Sequence, residues 1–329
     1  MIDRLSTFSD PKIIRVINDN FIPVAENDWF QRRRQDAVGE FFRGVADQGP
    51  RKGAGGSTRQ GHYALTADGK LLAYNNNRGA GKHAAMLESA LKKWEAIPAE
   101  LRAPGAVKVA DLAADQLDQK YARAMPPGTV VLKTSTRLLK MADGHLVPCG
   151  ADDHPNGWGH LAAHNQMWLQ AQEIAQLRGL DGEAPVDLPA PIAYRMIRFH
   201  LLDNTRGEPN FWGRDDISKF EFTVRAPDDK PLRRLIEGRV LLEHADDRGF
   251  DAKVLGYLDL DPEADRLTAA EIVAVGDHWG SGTYTRGARP GRSPLGIAFS
   301  LADMENDPGA KVPPQGSGWL EAYLNADRH

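Results

Sequence analysis

The chain has 329 residues, of which 41% are hydrophobic and 26% are charged. This composition excludes a disordered tail protein and a collagen-like repeat, and the single cysteine excludes an internal disulfide. The net charge of −4 gives no overall field that would attract nucleic acid or an anionic membrane surface. No apolar run approaches the roughly 20 residues that span a bilayer, and no signal-peptide core follows Met1. We therefore expect a cytoplasmic protein with no membrane and no nucleic-acid partner.

The first hundred residues alternate helical and extended patterns. Asp10 and Pro11 predict a helix start, because aspartate caps helices and proline is tolerated in the first turn. Apolar residues recur at helical spacing over two further segments, Asp28 to Ala46 and Lys82 to Trp94. The other predicted elements are a buried strand at Phe21–Ala25, a mobile basic loop at Gly49–Gly61 and a hairpin with strands at His62–Thr66 and Leu71–Tyr74.

The rest of the chain changes from helical to strand patterns. Pro98 and Pro104–Gly105 predict a linker. A strand at Thr129–Thr136 and helices at Leu161–Leu177 and Pro191–Leu202 follow. From Ile217 the apolar period is two, which predicts an antiparallel meander, and a short helix around Tyr323 ends the chain. The predicted fold class is α/β plus α+β. It has one domain over residues 1–100 and an α+β domain over residues 101–329, whose antiparallel β-sheet curves into a half-barrel or sandwich.

One segment near the N-terminus resembles a known family. Phe8 to Val24 reads FSDPKIIRVINDNFIPV, which is similar to the run that follows the Cys-x-x-Cys site in many thioredoxin-like proteins. The hairpin turn Ala67–Lys70 and the helix Lys82–Trp94 match that family's late hairpin and closing helix. The whole chain also resembles a group of bacterial thioredoxin-domain proteins of unassigned biochemistry. The resemblance implies that residues 1–100 form a thioredoxin-like domain.

Two features of that family are missing from the sequence. Met1 to Ser6 contains no cysteine, and Gln60 and Gly61 stand where the family has its cis-proline. Dithiol exchange needs an activated thiolate and a second sulfur. We therefore expect a thioredoxin-like fold protein without dithiol redox activity. A Cys-x-x-Cys encoded upstream of Met1 would restore the alternative of a thioredoxin-type oxidoreductase.

A histidine cluster in the middle of the chain gives a candidate metal site. His160 and His164 are four residues apart, so on the predicted helix they would share one face and bind one ion. His154 or Cys149 would supply a third ligand. A divalent metal is therefore the candidate cofactor, and a metal-dependent enzyme centred on His160 and His164 is an alternative function. The other interpretation is a solvated loop that leads into a helix.

Three residues are candidates for catalysis. Cys149 would act as a nucleophile with a nearby histidine as its base, although most single cysteines are small buried hydrophobes. His200 and Asp203 lie near one helix face and could relay a proton. Arg206, three residues further on, could hold an anion. The alternative is that these residues only cap the helix and fix the loop after it.

The loop after the predicted strand at Leu267–Val275 is rich in glycine and aromatic residues. Trp279 and Tyr284 offer flat apolar faces, and Arg286 could bind a carboxylate or phosphate. The alternative is a wide hairpin with a structural tryptophan. We expect a small-molecule or peptide-like ligand at this end of the C-terminal sheet. A third hypothesis, a protein partner, would use the Gly49–Gly61 loop. The residues predicted to contact the ligand are Arg206, His278, Trp279, Tyr284 and Arg286.

Overall fold

The computed structural model describes residues 7–77, 79–108, 111–121, 123–154, 157, 159–245 and 247–328. These residues form two compact units, one between residues 7 and 123 and the other between residues 124 and 328. The first unit therefore continues beyond residue 100, where the sequence predicts the boundary. Within the described residues, no helix combines the length and the apolar character that crossing a membrane requires.

The first unit packs helices against a two-stranded hairpin. Asp10 caps the first helix as predicted, because its carboxylate accepts hydrogen bonds from the amides of Lys12 and Ile13. The small core includes Ile13, Leu72 and Leu87. The elements are α1 (Pro11–Asn20), α2 (Asp28–Gln31), α3 (Ala37–Ala46), β1 (His62–Leu65), β2 (Leu71–Asn75), α4 (Ala80–Glu95) and α5 (Ala99–Arg102).

Two predictions for this unit are wrong. Phe21–Ala25 belongs to no strand, and Ile22 and Val24 are 91% and 80% exposed, so the segment is not a buried strand. The helix predicted from Asp28 to Ala46 is interrupted. Asp36 binds the buried guanidinium of Arg34 and accepts a hydrogen bond from the amide of Gly39, and so caps a second helix. This ion pair holds the pKa of Asp36 well below its usual range.

The loop predicted to be mobile and basic is anchored by its arginines. Arg59 is buried and pairs with Asp47 at 3.1 Å. Arg51 donates to the Tyr74 hydroxyl at 2.7 Å. Arg51 and Arg59 are two of the three basic side chains with which this loop would bind a protein partner. Their contacts within the unit engage both guanidinium groups and hold the loop in place.

The second unit is a large antiparallel sheet with a helix in its core. The elements are β3 (Val130–Ala142), β4 (His145–Pro148), β5 (Ala163–Leu169), α6 (Ala171–Arg178), β6 (Val186–Asp187), α7 (Ala190–His200), β7 (Ile217–Arg225), β8 (Arg233–His244), β9 (Arg248–Leu260), β10 (Leu267–Trp279), β11 (Ser293–Leu301) and α8 (Leu320–Leu324). The sheet order is β4-β3-β11-β10-β9-β8-β7-β6, and β5 also pairs with β3. The apolar residues on one sheet face form a single core with α7. This arrangement confirms the predicted antiparallel sheet.

The prediction of a helix at Leu161–Leu177 is wrong. Its first half is β5, which pairs with β3 over Ala163–Leu169, and α6 begins only at Ala171. Glu173 marks the start of that helix, because its carboxylate accepts a hydrogen bond from the Gln170 amide at 2.8 Å. Met167, Trp168 and Leu169 are all buried, so the strand lacks the alternation that identifies a half-exposed strand.

Candidate functional site

A polar cavity lies at one end of the core of the second unit. It forms where β10 ends and β11 begins, close to the segment that follows α7. Its volume is about 10 Å³, which is room for roughly one water molecule. Polar side chains around it include those of His154, Asp203, Arg206, His278 and Arg289, with Trp279 beside them.

A buried ion pair fixes one side of the cavity. The Nε atom of Arg206 donates to the Asp203 carboxylate at 2.7 Å, and both side chains are almost fully buried. Burial opposes ionisation of Asp203, but the charge of Arg206 and hydrogen bonding by Thr205 help to hold its pKa below the ordinary value. Asp203 is therefore a carboxylate at neutral pH.

Arg206 also fixes the loop between β10 and β11. Its guanidinium donates to the Gly280 carbonyl oxygen at 3.0 Å, to the Thr285 carbonyl oxygen and to the Ser281 hydroxyl. Gly280 has φ = +78°, and a Cβ atom there would lie 2.2 Å from the carbonyl oxygen of Asp247. Only glycine fits this turn. Gly280 therefore lets the backbone of this loop pass close to the backbone of Asp247 and Arg248.

His278 is neutral inside the site. It lies on β10, on the same face as the core residues Ile272 and Ala274, and is 8% exposed. Burial is the main cause that lowers its pKa to about 4, against an opposing contribution from Asp203. The charges of Arg206, Arg248 and Arg289 lower it further. A neutral imidazole can either donate or accept a hydrogen bond toward the cavity.

Acidification should therefore weaken the fold through His278. Between pH 6.5 and 4 the unfolded chain binds a proton at this histidine that the folded chain does not, so stability falls as the pH falls. We expect the wild type to lose about 1.5 kcal/mol more stability between pH 6.5 and 5 than the variant H278Q, because the slope approaches about 1.4 kcal/mol per pH unit only below pH 6. Urea unfolding at several pH values measures this difference. Substituting His145, which is exposed, should leave the profile unchanged, and equal losses in wild type and H278Q would contradict the assignment.

Trp279 forms the apolar part of the site. Its ring packs under the guanidinium of Arg292, whose Cζ atom is 3.9 Å from the ring centroid. A Cβ atom on Gly249 would lie 2.0 Å from this ring, so glycine is required beneath it. By contrast, Tyr284 is 70% exposed and Arg286 is exposed, and both lie on the outer surface of the loop. Of the predicted ligand residues, Arg206 and His278 are thus buried, Trp279 is partly exposed, and Tyr284 and Arg286 are exposed.

The histidines of the predicted metal site do not share a helix face. His164 lies in β5, and its Nδ1 atom is 2.9 Å from the Ser135 hydroxyl on β3. His160 is exposed before the strand, and His154 is buried at the cavity instead. The described part of the chain holds no group of three histidine, cysteine, aspartate or glutamate side chains arranged for a metal ion. The helical spacing was misleading because that segment is a strand.

The three catalytic candidates do not form a reacting group. Cys149 is 2% exposed and contacts Arg289 at 3.7 Å, and burial raises the pKa of its thiol, so it is not an activated thiolate. His200 is in the core, where its Nε2 atom is 2.9 Å from the Tyr323 hydroxyl. Burial lowers the pKa of His200 to about 3. Asp203 is engaged by Arg206.

Arg289 is the main residue of the site that the sequence did not predict. It lies in the same loop as Arg286 and Arg292, and the three arginines are spaced three residues apart. That spacing was the available signal. Its guanidinium reaches back to the Leu139 carbonyl oxygen on β3 at 2.6 Å, a contact that no local pattern indicates.

Comparison with protein-family models, with curated proteins and with solved structures finds no match to this chain.

Proposed function

We propose that the second unit is a binding module for a small organic ligand or a peptide end, which binds at the mouth of the cavity beside Trp279. One observation carries this proposal: two segments that are distant in sequence, one with Asp203 and Arg206 and the other with His278 and Trp279, meet around one cavity. Sites for small molecules commonly combine an apolar wall with a few convergent polar groups. Trp279 supplies the wall, and the buried cluster supplies the polar groups.

The protonation state of Cys149 and the position of His200 favour binding over catalysis. Cys149 is a protonated thiol at neutral pH because its pKa is raised, and nucleophilic catalysis requires a thiolate. His200 is held in the core by Tyr323 rather than at the cavity. The groups at the cavity are suited to orienting a ligand by charge and hydrogen bonds.

We also propose that the first unit is a thioredoxin-like domain without its cysteine pair. The order of helix α1, helix α3, hairpin β1–β2 and helix α4 supports this assignment. A thioredoxin fold needs a central sheet of four or five strands, whereas the described residues of this unit pair only β1 with β2. Nuclear Overhauser contacts that pair further segments of this unit with β1 or β2 would support the proposal, and their absence would contradict it.

The binding proposal predicts a response at the Trp279 indole. In ¹H–¹⁵N NMR spectra, titration with benzoate, phenyl phosphate or benzamide should move the Trp279 indole signal in a saturable way for at least one probe. The variant W279F identifies that signal. Trp319, which is 62% exposed, serves as the internal control and should not shift. A Trp279 signal that stays fixed with all three probes contradicts the proposed function.

A further inference from the structure

The charges at the cavity do not balance. Of the two arginines that line it, Arg206 is paired with Asp203. Arg289 has only neutral acceptors among the described residues: the carbonyl oxygens of Leu139 and Pro294, at 2.6 Å each, and the Cys149 thiol. With His278 neutral at pH 7, the arginine and aspartate side chains of the described lining carry one surplus positive charge.

Two further arginines lie close in sequence to lining residues and add positive charge to this part of the unit. Arg137 acts electrostatically on the same Cys149 thiol as Arg289, and its buried Nε atom has no hydrogen-bond partner in the described structure. Arg286 is exposed on the adjoining loop. Lys140 adds nothing, because Asp153 pairs with it at 2.7 Å. This positive region stands out on a chain whose net charge is −4.

The size of the cavity limits what enters it. A volume of about 10 Å³ admits one oxygen atom but no ring or chain. Guanidinium groups bind carboxylate and phosphate oxygens through short, charge-assisted hydrogen bonds. The larger part of a ligand would then remain outside, against the part of the Trp279 ring that Gly249 and the Arg292 guanidinium leave exposed.

We infer that the ligand of this site carries an oxyanion, a carboxylate or a phosphate, and that one of its oxygens enters the cavity to bind Arg289 while its apolar part lies against Trp279. This inference rests on the proposed binding function. It makes Arg289, rather than the exposed Arg286, the residue that selects the ligand.

Three probes of similar shape test the charge requirement. Isothermal titration at low salt should detect binding of benzoate or phenyl phosphate, and the neutral benzamide should bind at least about tenfold more weakly, as expected for loss of a charged hydrogen bond. The stronger of the two anions identifies the group. R289A should weaken anion binding at least about tenfold and leave benzamide unchanged, whereas the control R239A, an exposed arginine on β8, should change neither.

A salt series on the wild-type protein keeps the test independent of the variants, because R289A removes two contacts to backbone carbonyls and could disturb the fold. Anion affinity should fall as ionic strength rises, and benzamide affinity should not. Benzamide binding as tight as benzoate would overturn the oxyanion inference and leave the binding function standing. Failure of all three probes to bind would overturn both.

Discussion

Replacing Arg195 with leucine is expected to lower the free energy of unfolding by about 3–5 kcal/mol, the usual cost of breaking a buried ion pair by removing one partner. Arg195 and Glu173 are 0% and 1% exposed, and they form a bidentate pair at 2.7 and 2.8 Å. Arg195 also donates to the carbonyl oxygens of Trp168 and Tyr323. The substitution would leave a buried carboxylate and two buried carbonyls without this donor. Urea unfolding followed by tryptophan fluorescence measures the loss.

Two variants distinguish the effect of an unpaired buried charge from a general disturbance of the fold. Arg239 is exposed, so R239L should change stability by no more than about 0.5 kcal/mol. The double variant E173L/R195L removes both charges and should recover part of the loss, since no unpaired charge stays in the core. A cost below about 1 kcal/mol for R195L would show that this pair does not hold α6 and α7 together.

The substitution D203N is expected to cost about 3–5 kcal/mol as well, because it leaves the guanidinium of Arg206 buried without a carboxylate. The asparagine keeps the shape of the side chain, so the loss reports charge rather than packing. Arg206 also holds the loop after β10 through Gly280 and Thr285. We therefore expect trypsin to cleave the variant faster after Arg286 than it cleaves the wild type.

Asp251 provides the matched control for this prediction. It pairs with Arg292 at 3.5 Å near the same loop, but both side chains are about half exposed. Because exposed ion pairs contribute little, D251N should cost less than about 1 kcal/mol. If D203N and D251N were equally mild and neither altered cleavage by trypsin, the buried pair would not organise the site.

Sequence patterns were reliable here where local chemistry decides the structure. The aspartate cap before Pro11 and the hairpin at His62–Asn75 depend on neighbouring residues, and both are present. The period-two pattern after Ile217 likewise identified the antiparallel strands β7 to β11. In each case the interactions that form the element lie close together along the chain.

Patterns misled where a distant partner decides the structure. The segment Ala163–Leu169 is a strand because β3, some thirty residues earlier, supplies its hydrogen bonds. The expected pairing of His160 with His164 was lost with the helix. The site shows the same limit. His154, Asp203 and His278 were singled out for separate reasons, and only the fold brings them to one cavity with Arg289.

The most direct test of this account is a crystal structure of the protein soaked with 4-iodobenzoate, in which the anomalous signal of iodine locates the ligand. We expect an iodine peak outside the cavity near the Trp279 ring, with the carboxylate directed inward to Arg289. An iodine peak elsewhere, with an unaltered cavity beside Trp279, would contradict the claim that this cavity is the binding site.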